Sequence, residues 1–340
     1  MSMLSPQTAA GVPRSARELT FGQAIKEALA EEMRRDPRIF IIGEDVAEAG
    51  TVFKVLAGLV DEFGPERVID SPISEAGITG LGVGAAMTGM RPVVDLMFGD
   101  FMALAMDQIA NQAAKVHYMS GGKLRVPMVI RTTLGASRRS AAQHSQSLYA
   151  WVAHVPGLKV VLPSTPADAK GMLKAAIRDE NPVLFFEDKM MYQLKGSVPE
   201  GDYTIPLGVA DTKRPGSDIT LVATSSMVQV ALAAATQLDA SGISAEVVDP
   251  RTLFPLDAEA LVASVRRTGR AIVVDEGCER YGITAEIASV IADGAFDYLD
   301  APVKRLGALN VPVPFSPTLE DQTVPTPERL TALARSLCGR

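Results

Sequence analysis

The stretch Asp70 to Arg91, DSPISEAGITGLGVGAAMTGMR, decides the reading of this 340-residue chain. Val68 to Asp70 ends a short strand, Pro72 biases Ser71 toward extended geometry, and Ser74 is a good N-cap. Glu75 then falls in the first turn of a helix, where backbone amides have no helical partner and the dipole favours negative charge. Gly77, Gly80, Gly82 and Gly84 follow within eight residues. Each glycine costs a helix about 0.5 to 1 kcal/mol relative to alanine, so four of them require close packing against another backbone or a ligand. The stretch reads as a contact surface with one carboxylate at its mouth. The plain alternative is tight helix packing, with Glu75 a solvated first-turn acid.

Upstream, Thr20 and Gln23 form a capping box, and Phe21, Ile25, Ala28 and Leu29 share one face, which predicts a helix to about Met33. Ile39 to Ile42 is a continuous apolar run suited to a strand covered on both faces, and it delivers Glu44 at its carboxyl end. In open α/β sheets the ligand crevice lies outside the carboxyl ends of the strands, so Glu44 and Glu75 are placed to line one cleft; Glu44 is otherwise an ordinary loop acid. A helix is predicted from Val52 to Phe63. Downstream come a strand Pro92 to Phe98, a helix Phe101 to Tyr118 and a strand Pro127 to Thr132. The loop Thr133 to Gln146, TLGASRRSAAQHSQ, is long and polar and carries Arg138, Arg139 and His144. Long loops inside compact domains are often functional, although a lone histidine is more often structural and an arginine pair more often a solvated face.

The strands Leu158 to Leu162 and Val183 to Phe186, with a helix Pro166 to Arg178 between them, complete a first sheet. A polar stretch rich in Pro and Gly from Gln193 to Ser217 marks the passage to a second domain. There strands Ile219 to Ala223, Ala245 to Val248 and Ala271 to Val274 alternate with helices Met227 to Leu238, Asp257 to Arg266 and Thr284 to Ala292. VPVPFSP then reads as extended, and a last helix runs from Pro327 to Leu337. The fold class is α/β: two doubly wound, mostly parallel-sheet domains over 18–195 and 217–340, with 196–216 as linker and 1–17 as a disordered tail. Arg14 and Arg17 with no acid before Glu18 leave a targeting role for that tail open.

Composition bounds the function. With 40 acidic against 33 basic residues and no long basic cluster, a nucleic-acid footprint is absent. No apolar run reaches the roughly 18 residues of a membrane span, so no membrane partner is expected. Cys278 and Cys338 lie far apart without metal-ligand spacing, which fits a reducing compartment, most simply the cytoplasm. There is no P-loop, GxSxG, or GxGxxG after the first strand.

Several stretches together resemble one family: IIGEDV (41–46), VFKV (52–55), GLVDEFG (58–64), RVIDSPISEAG (67–77), DFMALAMDQIANQAAK (100–115), YMSGG (118–122), AAQHSQS (141–147), PGLKVVLPSTPADAKG (156–171), ENPVLFFEDKMMY (180–192), VVDPRTLFPLD (247–257) and VDEG (274–277). In order and spacing the chain resembles, from about Leu19 onward, the β subunit of the thiamine-diphosphate-dependent first component of 2-oxo acid dehydrogenase complexes and the similar acetoin dehydrogenase β subunit. The resemblance implies a transketolase-like fold, with a pyrimidine-binding domain followed by a transketolase C-terminal domain, in an assembly of two α and two β chains. Its diphosphate and magnesium motif, GDG followed by Asn-Asn, belongs to the α chain and is missing here. Thiamine diphosphate would thus be shared with the α subunit, which would also hold Mg2+, and no magnesium ligand is expected in this chain.

By position, Glu75 matches the family glutamate that hydrogen-bonds the cofactor's aminopyrimidine nitrogen and promotes its activation as an ylid. Phe101 matches the aromatic packed on the pyrimidine, and Glu44 a second acid of the pocket. His144 matches the active-site histidine serving proton transfer or the dihydrolipoyl acceptor. Arg138 and Arg139 would belong to a loop at the substrate entrance. The implied activity is cleavage of a 2-oxo acid (pyruvate or branched-chain) or acetoin, followed by transfer of the fragment to a lipoyl-bearing acyltransferase component; the alternative is a non-catalytic assembly or regulatory subunit. Ser71 stands where threonine is more usual, and Glu48-Ala49-Gly50-Thr51 where many relatives have a Gly-Gly turn. Arg138-Arg139 also departs from the small residues of pyruvate-type chains, whereas MFGDF (97–101) and EDKMMY (187–192) are more like acetoin-type chains. The substrate stays open.

Overall fold

A computed structural model describes residues 16–339. The first sheet has seven strands in the spatial order Thr252–Phe254, Lys159–Val161, Val183–Asp188, Val129–Leu134, Arg91–Phe98, Ile39–Gly43 and Val68–Asp70. All pair in parallel except Thr252–Phe254, which arrives from the second half of the chain and pairs antiparallel at the edge. The second sheet has five strands, ordered Lys304–Ala308, Ala271–Cys278, Ile219–Ala223, Ala245–Asp249 and Asp211–Arg214, the last antiparallel. Strands buried on both faces explain the uninterrupted apolar runs seen in the sequence.

One face of the first sheet is covered by the helices Phe21–Arg35 and Pro166–Arg178, whose Phe21, Ile25, Met172 and Leu173 pack with Ile39, Ile41 and Phe185. The Thr20 cap forms as expected, its side chain accepting from Gln23 and its amide donating back to the Gln23 side chain. The other face is covered by the glycine-rich helix Glu75–Met87 and by Met102, Ala105 and Ile109. That apolar cluster continues through Val248, Leu261 and Ile287 of the second domain, so the two sheets share one core.

Several stretches differ from the sequence reading. Of the helix expected over Val52 to Phe63, only Leu59–Phe63 forms. The backbone before it turns through left-handed conformations at Asp45, Gly50, Thr51, Lys54 and Gly58, and Gly50 sits so close to the Ala57 backbone that a side chain has no room. The helix expected over Phe101 to Tyr118 is broken into Met102–Asp107, a π-helical turn Gln108–Ala113, and Val116–Met119. Ala16 and Arg17, assigned to the tail, open a strand Ala16–Thr20 that pairs antiparallel with Lys195–Pro199 inside the expected linker; the rest of that tail lies outside the described residues. Within VPVPFSP, Pro317 starts a helix, Pro317–Thr323, a position where its missing amide is not needed.

Candidate active site

Gly43 ends its strand against Asp95, where a Cβ would lie 2.7 Å from both the Asp95 Cβ and its carbonyl oxygen, so only glycine lets the chain turn there and present Glu44. The Ser71 amide donates to the Gly43 carbonyl at 2.9 Å, extending the ladder one residue past Asp70, while the Asp70 carboxylate accepts from the amides of Ala47 (2.7 Å) and Glu48 (3.1 Å). This ties the turn carrying Glu44 to the one leading into Glu75. Ser74 occupies the N-cap position, but its hydroxyl donates to the Pro72 carbonyl instead of accepting from the helix. The first-turn amides are therefore not closed off by a side-chain cap.

Glu75 and Glu44 are both buried, at 6% and 8% exposure. Burial raises the Glu44 carboxyl above its usual range, the Glu75 charge raises it further, and the Ser74 amide works the other way. Glu44 Oε1 has no hydrogen-bond partner among the described residues. A buried carboxylate oxygen left without a partner costs free energy, so its lack of one marks a place where another polar group belongs.

The next strands add aromatics. The His144 imidazole lies edge-on to Phe98 and Phe101, with ring centroids 4.8 and 5.3 Å away, and Phe98 in turn touches Phe53 at 6.0 Å. The Arg138 guanidinium stands 5.7 Å from the Phe53 ring and is exposed. Phe53, Phe101, Arg138 and His144 are thus gathered at the carboxyl edge of the sheet that also bears Glu44 and Glu75. Arg139 goes elsewhere: its guanidinium pairs with buried Glu320 at 2.6 Å and with Asp321 at 2.7 Å, both in the second domain. Beneath the site, buried Arg131 is held between Asp95 and Glu187, bidentate to the latter at 2.8 and 2.6 Å, and Tyr192 donates to Glu187 at 2.8 Å.

Sequence reasoning missed Phe53, because the helix expected there would have aimed it differently, and Phe98 and Lys189, which read as an ordinary strand end and loop cation. It also missed Asp100, which holds the His144 loop by accepting from the Gln146 amide and side chain at 3.2 and 2.9 Å. Among the described residues no group of three or more His, Cys, Asp or Glu side chains is arranged for a metal ion, and no helix is long and apolar enough to cross a membrane.

The transketolase pyrimidine binding domain matches residues 17–195 and the transketolase C-terminal domain residues 208–330. The chain is 52% identical to the acetoin:2,6-dichlorophenolindophenol oxidoreductase subunit beta of Bacillus subtilis, over 95% of this chain and 98% of the relative. It is 47% identical to the 2-oxoisovalerate dehydrogenase subunit beta of the same organism, over 94% and 98%. Against the mitochondrial pyruvate dehydrogenase E1 component subunit beta-1 of Oryza sativa subsp. japonica the identity is 44%, over 100% and 93%. Among solved structures, a split gene transketolase described as an inactive beta4 tetramer superposes with TM-score 0.77 at 25% identity, over 94% of this chain and 98% of that one. Domain matches in this order, and such identities over nearly the whole length, establish that the chain belongs to the transketolase-like family of dehydrogenase E1 β subunits.

Proposed function

We propose that this chain is the β subunit of a thiamine-diphosphate-dependent dehydrogenase that cleaves a 2-oxo acid or acetoin together with an α subunit and passes the fragment to a lipoyl-bearing acyltransferase. The observation that carries the reading is the buried Glu44–Glu75 pair, with one oxygen unpartnered, on the same sheet edge as the Phe98, Phe101 and His144 cluster. When bound, thiamine diphosphate supplies the electron sink for cleaving the carbon–carbon bond next to a carbonyl. The donor set fits the pyrimidine half of that group: a carboxyl for its ring nitrogen, a second acid, and an aromatic face. Glu75 would hold or release the proton at that nitrogen, Phe101 would pack on the ring, and Glu44, kept toward its neutral form by burial and by Glu75, would supply a donor or acceptor as needed. His144 would deliver a proton late, to the departing sulfur of the lipoyl acceptor, and exposed Arg138 would meet the carboxylate of an incoming 2-oxo acid. Mg2+ would be held by the α chain.

The glycine-rich helix supports the partner. Gly82 faces inward, where a Cβ would be 2.6 Å from Val94 Cγ2, whereas a Cβ on Gly84 would meet nothing within 4 Å. Ile73 and Leu81 beside it are 82% and 51% exposed. Three of the four glycines are thus not spent on inward packing of this kind, and an exposed apolar, small-residue face is what close backbone approach by another chain requires. We place the protein in a reducing compartment, the cytoplasm, on the strength of its two widely separated cysteines. The test is to co-purify the chain with its α partner and assay pyruvate, branched-chain 2-oxo acids and acetoin with an artificial electron acceptor. Turnover of one of them that requires both chains and thiamine diphosphate supports the reading. Stoichiometric micromolar cofactor binding by the lone chain, or an assembled pair inert on all three, defeats it.

A further inference from the structure

We propose that Lys189 is a positioning residue that holds His144 in its working orientation. Among the described residues three lysines are essentially fully buried: Lys170, Lys174 and Lys189. The first two are ion-paired, Lys170 with Glu31 at 2.8 Å and Lys174 with Asp202 at 2.5 Å. Lys189 is used differently. Its ammonium donates to the main-chain carbonyl of His144 and lies 5.7 Å from the Phe98 ring centroid. That same ring meets the His144 imidazole edge-on, so one ammonium touches both the backbone of His144 and the surface on which its side chain rests.

The backbone fixes where Lys189 sits. The Lys189 amide donates to the Leu134 carbonyl at 3.2 Å, which seats the residue where two central strands end. Burial holds the ammonium below its usual range, and Asp100, Glu276, Asp188 and Glu320 around it offset only part of that pull. The His144 loop needs such an anchor. It passes through left-handed backbone at Ser137, Arg139 and Ala141, none of them glycine. Its near end is held by Glu276 on the Ala136 amide (3.0 Å) and Glu320 on the Ser137 amide (2.8 Å), its far end by Asp100 on Gln146. Lys189 adds a hold between these two ends, at His144 itself.

The inference rests on the late proton-transfer role proposed for His144, and it is tested so that the two fail separately. The full chain has three histidines, His117, His144 and His154, so histidine-selective ring labelling gives few signals, and that of His144 is displaced by the Phe98 and Phe101 ring currents. In Lys189→Met this signal should move toward the position of an unpacked histidine. In the enzyme assembled with its α partner, the ratio of lipoyl-domain reduction to artificial-acceptor turnover should fall roughly 10- to 100-fold, the range for a displaced reacting group. A Lys189→Met, His144→Ala double variant should be no worse than His144→Ala alone, because residues acting as one unit are not additive. Lys189→Arg, which keeps a donor and the charge, should recover most of the ratio. Lys189→Gln gives the same readings if the Met variant does not assemble. An unmoved His144 signal, or losses that add in the double variant, overturns the proposal. A moved signal with both activities lowered alike upholds the positioning and removes the late role of His144 instead.

Discussion

At the carboxyl edge of the first sheet Glu44 keeps an unpartnered oxygen and Arg138 reaches solvent, whereas the corresponding edge of the second sheet is occupied by the first domain. Thr224 follows the strand Ile219–Ala223, Asp275 lies in the carboxyl half of the strand Ala271–Cys278, and Asp275 accepts from the Thr224 hydroxyl and from the Tyr149 hydroxyl at 2.6 Å. Glu276 accepts from the Ala136 amide, and Asp249 accepts from the Ser164 hydroxyl at 2.5 Å. In an open α/β sheet this edge is where a ligand sits. The second domain treats the loops of the first as that ligand, and so becomes a brace for the loop carrying His144. The same topology leaves an open edge on one side and forms a clamp on the other.

The contrast breaks most visibly at Glu75. Glu75→Gln keeps the shape but cannot share a proton in the same way, and turnover of the assembled enzyme should drop at least ~100-fold with little change in thiamine diphosphate affinity. Steady-state turnover together with a cofactor titration checks both halves, and near-normal turnover would end the activation role. On the clamp side, Tyr149→Phe leaves Asp275 short of a buried donor and should cost about 1–3 kcal/mol in denaturant unfolding while turnover per folded enzyme changes far less. If turnover collapsed with stability intact, the second edge would itself be part of the chemistry. His144→Ala should lower lipoyl-domain reduction about 100-fold more than artificial-acceptor turnover, the low end for a lost proton donor. Equal losses would move His144 to substrate binding.

A pH-dependent effect concerns protons in the clamp. Burial, with the Asp168 charge adding to it and Lys213 opposing, pushes Asp249 from 3.8 up to about 7. The folded chain therefore keeps a proton that the unfolded chain has released between those values, so stability falls as pH rises through that window and levels off above it. Asp249→Asn removes this contribution, and its melting temperature should decline less steeply than that of the parent from pH 4.5 to 7. Asp275 and Glu276 are also raised by burial, so part of the slope survives. An unchanged slope would show that Asp249 carries none of it.

Much of the fold was legible because doubly covered strands announce themselves as apolar runs and the capping box at Thr20 is local. Glu75 and Glu44 were legible as carboxylates placed just beyond strand ends, and His144 as the one histidine in a long polar loop. What escaped depends on distant partners. VDEG is visible in the sequence, yet nothing near it says that Glu276 will bond an amide 140 residues away. Arg139 looked equivalent to Arg138 until Glu320, 181 residues on, claimed it. The irregular turn at Asp45 to Gly58 was hidden because its left-handed residues, Thr51 and Lys54 among them, are not ones that advertise that conformation.

The π-helical turn at Gln108–Ala113 makes length a geometric variable. Such a turn holds one residue more than the α-helix it interrupts, which rotates whatever follows by about 100° relative to what precedes it. Tyr118 and Met119, 86% and 77% exposed, lie beyond it on the separate helix Val116–Met119. Removing Ala110 alone would take one residue's rotation out ahead of that helix and swing both side chains to a different quarter of the surface, so a one-codon deletion there acts as a change of heading, with no change in the character of any remaining side chain.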